Sequence, residues 1–86
     1  MTVDEAAAWM LEQLQRRKYL DQSLVAQQLR KQDKALTYPN ANGNPAIVKP
    51  VLDAFRKLLP DDVVWSRSSR HWRYRKPRDK PGRMQD

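Results

Sequence analysis

No cysteine occurs in this 86-residue chain, and that constrains its fold more than any motif it carries. A disulfide framework, a thiolate zinc site and a thiol nucleophile are excluded together, so an apolar core alone has to hold the chain. Apolar residues make up 40% of the sequence, an ordinary globular share, which argues for one small domain rather than for disorder. At this length burial only narrowly exceeds the conformational entropy it has to offset, which favours a binding surface over an elaborate buried active site. The start, Met1-Thr2-Val3-Asp4-Glu5, lacks the basic and apolar segments of an export signal, and no run of 18 apolar residues occurs. A cytoplasmic protein with no membrane partner is expected.

Apolar spacing sets out the helices. Thr2 and Glu5 have the separation of a capping box, and Ala7, Met10, Leu11, Leu14 and Lys18 recur on one helical face, which predicts helix one over residues 3–18. Arg16, Arg17 and Lys18 fall in its last turn, where cations suit the negative end of the helix dipole. Tyr19-Leu20 predicts a bridge or one rung of strand, and Asp21 behind it caps a short, polar helix two over 22–32 with Val25, Ala26 and Leu29 inward. Residues 33–44 hold Pro39, Gly43 and asparagines at 40, 42 and 44, the chemistry of a structured loop, with a short extended piece at Leu36 and Tyr38 before it. Asn44-Pro45 has the form of a helix start, but Pro50 would break a helix running through it. The expectation is a loose turn over 45–49 and a firm helix three over 50–59, with Val51, Leu52, Phe55, Leu58 and Leu59 on its apolar face and Pro60 at its end.

Two β-prone runs, Val63-Val64-Trp65 and His71-Trp72-Arg73-Tyr74-Arg75, flank the polar Ser66-Arg67-Ser68-Ser69-Arg70 and predict a hairpin. Alternation along the second strand turns Trp72 and Tyr74 to the core and His71, Arg73 and Arg75 to a cationic face. Trp65 and Trp72 come close to cross-strand positions, where aromatic pairs strengthen a hairpin. Residues 77–86 show no apolar periodicity and are expected to form a disordered basic tail. The whole reads as an α+β fold, three helices and then a C-terminal hairpin, in one domain over residues 1–76.

Catalytic chemistry has little to work with. His71 is the sole histidine and no base or orienting group can be assigned to it. Asp61-Asp62 has the composition of a turn rather than a metal site, and two glycines in the chain do not make a phosphate loop. No catalytic residue, metal or cofactor is expected. The formal charge of +7 is concentrated late in the chain. Residues 1–43 carry six Lys/Arg and five Asp/Glu, whereas residues 44–86 carry eleven and five. Arg67, Arg70, Arg73, Arg75, Lys76, Arg78, Lys80 and Arg83 place eight cations in seventeen residues with only Asp79 among them. A solvated face ordinarily mixes signs, and arginine forks match phosphate oxygens, so this run points to nucleic acid. Lys49, Arg56 and Lys57 on helix three, with Asn42 and Asn44 on its approach, are the candidates for contacts there.

The element order over about residues 3–76 resembles a winged helix-turn-helix domain. The sequence is also similar to a family of short bacterial and phage proteins of unknown function, through Asn42-Gly43-Asn44, Ala46-Ile47, Val51-Leu52, Phe55-Arg56-Lys57-Leu58, Val63-Val64-Trp65 and Trp72-Arg73-Tyr74-Arg75. The winged-helix resemblance implies helix three as the recognition helix in a major groove and residues 66–70 as the wing tip on the backbone. It implies a small regulator or accessory factor that binds duplex DNA; the cationic run itself predicts that Arg78, Lys80 and Arg83 reach along the phosphates or into a minor groove. Three further expectations stay open: an acidic protein partner gripped by the basic wing, RNA or single strands stacked on the hairpin aromatics, and a homodimer, as in many short DNA readers.

Overall fold

The Thr2 hydroxyl accepts from the Glu5 amide at 3.1 Å while the Thr2 amide donates to the Glu5 carboxylate at 2.9 Å, and this reciprocal cap starts helix α1, Val3–Arg17. The computed structural model describes residues 1–77, 79, 81, 82, 84 and 85. Lys18 ends α1 in the left-handed region, φ 69°, with its amide donating to the Leu14 carbonyl at 2.8 Å. That turn sends the chain into strand β1, Tyr19–Asp21. The Asp21 carboxylate accepts from the amides of Ser23 and Leu24 at 2.9 and 3.2 Å and so caps α2, Gln22–Gln32. Both helices fall where the apolar spacing puts them.

The next stretch keeps the extended piece at Tyr38 but departs from expectation after it. After a single 3-10 turn, Lys34–Leu36, come strands β2, Thr37–Pro39, and β3, Pro45–Ile47, paired antiparallel from Thr37↔Ile47 to Pro39↔Pro45. Asn44-Pro45 therefore opens a strand, not a helix or a loose turn. The cause lies at Asn40, whose side-chain oxygen accepts from the amides of Asn42 and Asn44 at 2.9 and 3.0 Å, while Gly43 adopts φ 80°. An Asx turn with a left-handed glycine reverses the chain into a hairpin. The two prolines face each other on its last rung, where a missing donor does least harm. Helix α3 is Lys49–Leu58, with Pro50 in its first turn, where no intrahelical bond is lost. Pro50 begins the helix rather than kinking it. Leu58, expected on the apolar face, is exposed; Val51, Phe55 and Leu59 are buried.

Strands β4, Val63–Ser66, and β5, His71–Tyr74, form the expected hairpin in the register Val63↔Tyr74 to Ser66↔His71. β5 also pairs antiparallel with β1, Leu20 opposite Trp72. A two-residue strand β6, Met84–Gln85, runs parallel to β4, so the sheet order is β1-β5-β4-β6. The core lies between this sheet and the helices: Met10 and Leu14 of α1, Leu29 of α2, Val51 and Phe55 of α3, and Leu20, Val63 and Trp72 of the sheet. Phe55 meets Trp72 edge-on at 5.0 Å and Trp72 meets Trp65 at 4.7 Å.

The C-terminal stretch corrects a second expectation. Its described residues return to the sheet instead of forming a disordered tail. β6 pairs with β4, the Arg67 amide donates to the Gln85 carbonyl at 2.7 Å, and Gln85 is buried. Val64 is 1% exposed yet lies outside the main core cluster. Alternation turns it, with Ser66, to the sheet face away from the helices. Low apolar content hid this return because hydrogen bonds and an ion pair hold it rather than an apolar stripe.

Phe55→Ala should cost about 3–5 kcal/mol of stability, read by urea denaturation with an unchanged m-value. A loss below about 1 kcal/mol would mean that Phe55 does not join α3 to the sheet.

Candidate nucleic-acid interface

With Ser66 and His71 closing the ladder, Arg67, Ser68, Ser69 and Arg70 form a four-residue connection, all of it exposed. Both ends are tied. The Arg67 amide is held by β6, and the Arg70 carbonyl accepts from the Gln22 amide at 3.1 Å. Arg70 sits at φ 52°, a left-handed conformation that costs an L-residue about 1–2 kcal/mol and that glycine or asparagine would take more cheaply. Among the described residues neither the Arg67 nor the Arg70 guanidinium has an ion-pair partner.

On α3, Lys49, Arg56 and Lys57 are exposed. Lys49 Nζ and Arg56 Nη1 share the Asp53 carboxylate at 3.4 and 3.6 Å, an exposed arrangement that water screens and that adds little stability. Lys57 has no such partner among the described residues. A cleft of about 500 Å³ joins this helix to the hairpin, lined by Leu52 and Arg56 of α3, Gln22 of α2, Trp65 and Trp72 of the hairpin, and Met84 of β6. Because Gln22 also binds the Arg70 carbonyl, Arg56 and the hairpin tip belong to one side of the molecule. Asn42 and Asn44 do not join them on the approach to α3. They stand in the β2–β3 turn, with strand β3 and Val48 between them and the helix.

Arg73 and Arg75 have other commitments. Arg73 Nη1 and Nη2 donate to the two Asp79 carboxylate oxygens at 2.7 and 2.9 Å, in a pair whose side chains are 16% and 9% exposed. Arg73 Nη1 also donates to the Tyr74 carbonyl at 3.2 Å, and Asp79 accepts from the Lys76 amide at 2.6 Å. The Arg73 fork, and after it the Lys76 amide, hold the Asp79 carboxyl well below the usual carboxylate range, and the same bond raises the Arg73 guanidinium. Arg75 donates from Nη2 to the Gly82 carbonyl at 2.6 Å. Arg73, expected on an open cationic face, is thus covered. Lys76 is exposed. Arg78, Lys80 and Arg83, expected to extend the basic surface, lie outside the described residues.

Trp72 is 5% exposed, whereas Trp65, packed on it, is half-buried and lines the cleft. Sequence reasoning passed over Tyr19, which is 51% exposed and meets His71 edge-on at 6.0 Å. It also missed Asp79, whose signal was its isolation among eight cations. Among the described residues no group of three His, Cys, Asp or Glu is placed to hold a metal, and no helix is long and apolar enough to cross a membrane.

The chain belongs to a family of unknown function, DUF6953, whose model matches residues 2–74. Comparison with curated proteins and with solved structures found no match. The segment that carries Asp79 and β6 follows the matched region.

The Asp79 carboxyl is depressed in the folded protein, so the stability linked to it is complete above the unfolded value of about 3.9 and is lost as pH falls through the lower folded value. Thermal unfolding from pH 7 to pH 2 should show wild type above Asp79→Asn at neutral pH, with the gap narrowing below about pH 4. A gap independent of pH would contradict an ionised Asp79 as its source.

Proposed function

We propose that this chain is a non-enzymatic nucleic-acid-binding domain that grips duplex DNA, with Arg67 and Arg70 on the phosphate backbone and Arg56 and Lys57 of α3 beside the adjacent groove. The observation that carries this reading is the hairpin tip. Two exposed arginines stand on a turn tied at both ends, one of them in a left-handed conformation that packing alone would give to a smaller residue. Strain kept at a position with no buried side chain points to a use for that side chain. Arginine supplies a planar fork for phosphate oxygens.

The architecture supports the reading by analogy. Helices and strands in the order α1-β1-α2-β2-β3-α3-β4-β5, with β1 beside β5 and β5 beside β4, resemble the winged-helix plan apart from the inserted β2–β3 hairpin; in that plan the third helix enters the major groove and the wing touches the backbone. The β2–β3 hairpin between α2 and α3 is longer than the usual turn, and under this reading Asn42 and Asn44 contact a neighbouring stretch of backbone rather than the groove that α3 occupies. Four phosphates neutralised by Arg56, Lys57, Arg67 and Arg70 would give a log–log salt slope of about −3 to −4. A cytoplasmic regulator or accessory factor of bacterial or phage origin fits such a domain, and a homodimer would double its reach.

Replacing Arg70 separates function from stability. Arg70→Gly should raise thermal stability by up to about 1 kcal/mol, since glycine accepts positive φ without strain, and should weaken binding to a random 20-base-pair duplex several-fold in fluorescence anisotropy. Unchanged duplex affinity in this variant would sink the role of the tip. Preference for a polyglutamate peptide over the duplex would move the reading to an acidic protein partner.

A further inference from the structure

The sheet face turned away from the helices carries an arrangement that the nucleic-acid reading does not use. The three other ion pairs found among the described residues are all exposed, whereas Arg73 and Asp79 are withdrawn from water in a two-bond fork. Beside them Arg75 binds the Gly82 carbonyl, β6 adds itself to the edge of β4, and Val64 and Ser66 are buried on the same face. The described residues Asp79, Gly82, Met84 and Gln85 thus form a strap across the outer face of the hairpin whose tip bears Arg67 and Arg70.

We propose that this strap is an intramolecular competitor for the phosphate backbone, holding Arg73 and Arg75 closed until duplex DNA displaces it. The inference rests on the nucleic-acid reading above and concerns the regulation of that same surface. Its chemistry is substitution of like for like. A carboxylate with two oxygens on one guanidinium fork presents the geometry of a phosphate with two free oxygens, and a carbonyl oxygen on Arg75 stands where a second phosphate oxygen would. β4 and β5 have their full ladder with each other, and β5 with β1, so the sheet keeps its register when the strap leaves. Its described residues meet the sheet at an edge, through two residues of parallel ladder, the fork and single hydrogen bonds. Such a segment opens at far lower free energy than the core. Competition of this kind tunes affinity without altering the tip. In the closed state the domain binds through Arg67 and Arg70 alone on this hairpin, and in the open state Arg73 and Arg75 add two more forks along the same strands.

The test is a double-mutant cycle on the full chain, titrating random 20-base-pair duplex DNA by fluorescence anisotropy at several salt concentrations. Asp79→Asn should tighten binding about fivefold and steepen the salt slope by about 0.9 for each fork released. In an Arg73→Gln background the same change should gain less than about twofold, because the fork that Asp79 closes is already broken there. An equal gain in both backgrounds would overturn the proposal, since it would then reflect only the loss of one negative charge. Arg67→Glu/Arg70→Glu, run in parallel, separates the two readings. If that variant loses binding while Asp79→Asn gains none, the strap proposal alone falls. If wild type does not bind and neither change matters, the nucleic-acid reading falls with it.

Discussion

The edge-on contact of Phe55 with Trp72, continued by Trp72 on Trp65, is the interaction on which the rest of the molecule depends. Trp72 lies on β5, which has a partner strand on both sides, with Leu20 across one ladder and Trp65 across the other. Phe55 brings α3 onto that strand, and α3 in turn packs on α1 through Val51, Met10 and Leu14. Three rings therefore fix the angle at which the third helix meets the hairpin. They also determine that Arg56 and the tip arginines share one side of the molecule. Aromatic pairs of this kind contribute about 0.5–1.5 kcal/mol beyond their buried area, but their larger effect here is geometric.

Once Trp72 is committed to the core, alternation commits His71 and Arg73 to the opposite face. Val64 on the neighbouring strand is carried there too, and an apolar side chain on an open sheet face favours a cover. The returning segment supplies one, and the carboxylate of Asp79 neutralises the guanidinium that the cover would otherwise bury without a counter-charge. A single packing choice thus divides the arginines of the hairpin into two sets. Arg67 and Arg70, beyond the end of the ladder, remain in water, while Arg73 and Arg75 are engaged by the strap.

Much of this was legible in the sequence because it is local. The Thr2–Glu5 box, the Asp21 cap, the stripes of α1 and α2 and the Trp65–Trp72 pair all depend on residues a few positions apart or across one tight turn. What escaped depends on pairings that no local signature announces. Pro45 carries the local signature of a helix start, and only the ladder from Thr37 to Ile47, closed by the Asn40 turn, makes it a strand. The segment after Lys76 has the composition of a tail, and only the distant edge of β4 and the fork of Arg73 give it a place. Arg73 itself looked like its neighbours, since nothing in a run of cations says which one a single carboxylate will select. Leu58 matched the apolar period of α3 but falls at the end of the helix, where neither α1 nor the sheet reaches it. Tyr19 escaped because a three-residue strand gives too little pattern to assign its faces.

Under the proposed reading one surface, made of the hairpin tip and the outer face of α3, meets nucleic acid. Mapping amide chemical-shift changes in the ¹⁵N-labelled full chain during titration with a 20-base-pair duplex tests it most directly. The account predicts the largest changes at residues 67–70 and at Arg56 and Lys57, with smaller ones at Lys76 and Gln85 as the strap responds. Changes confined to the separate groove around Trp9, Gln13 and Leu24, or no changes at saturating duplex, would contradict it.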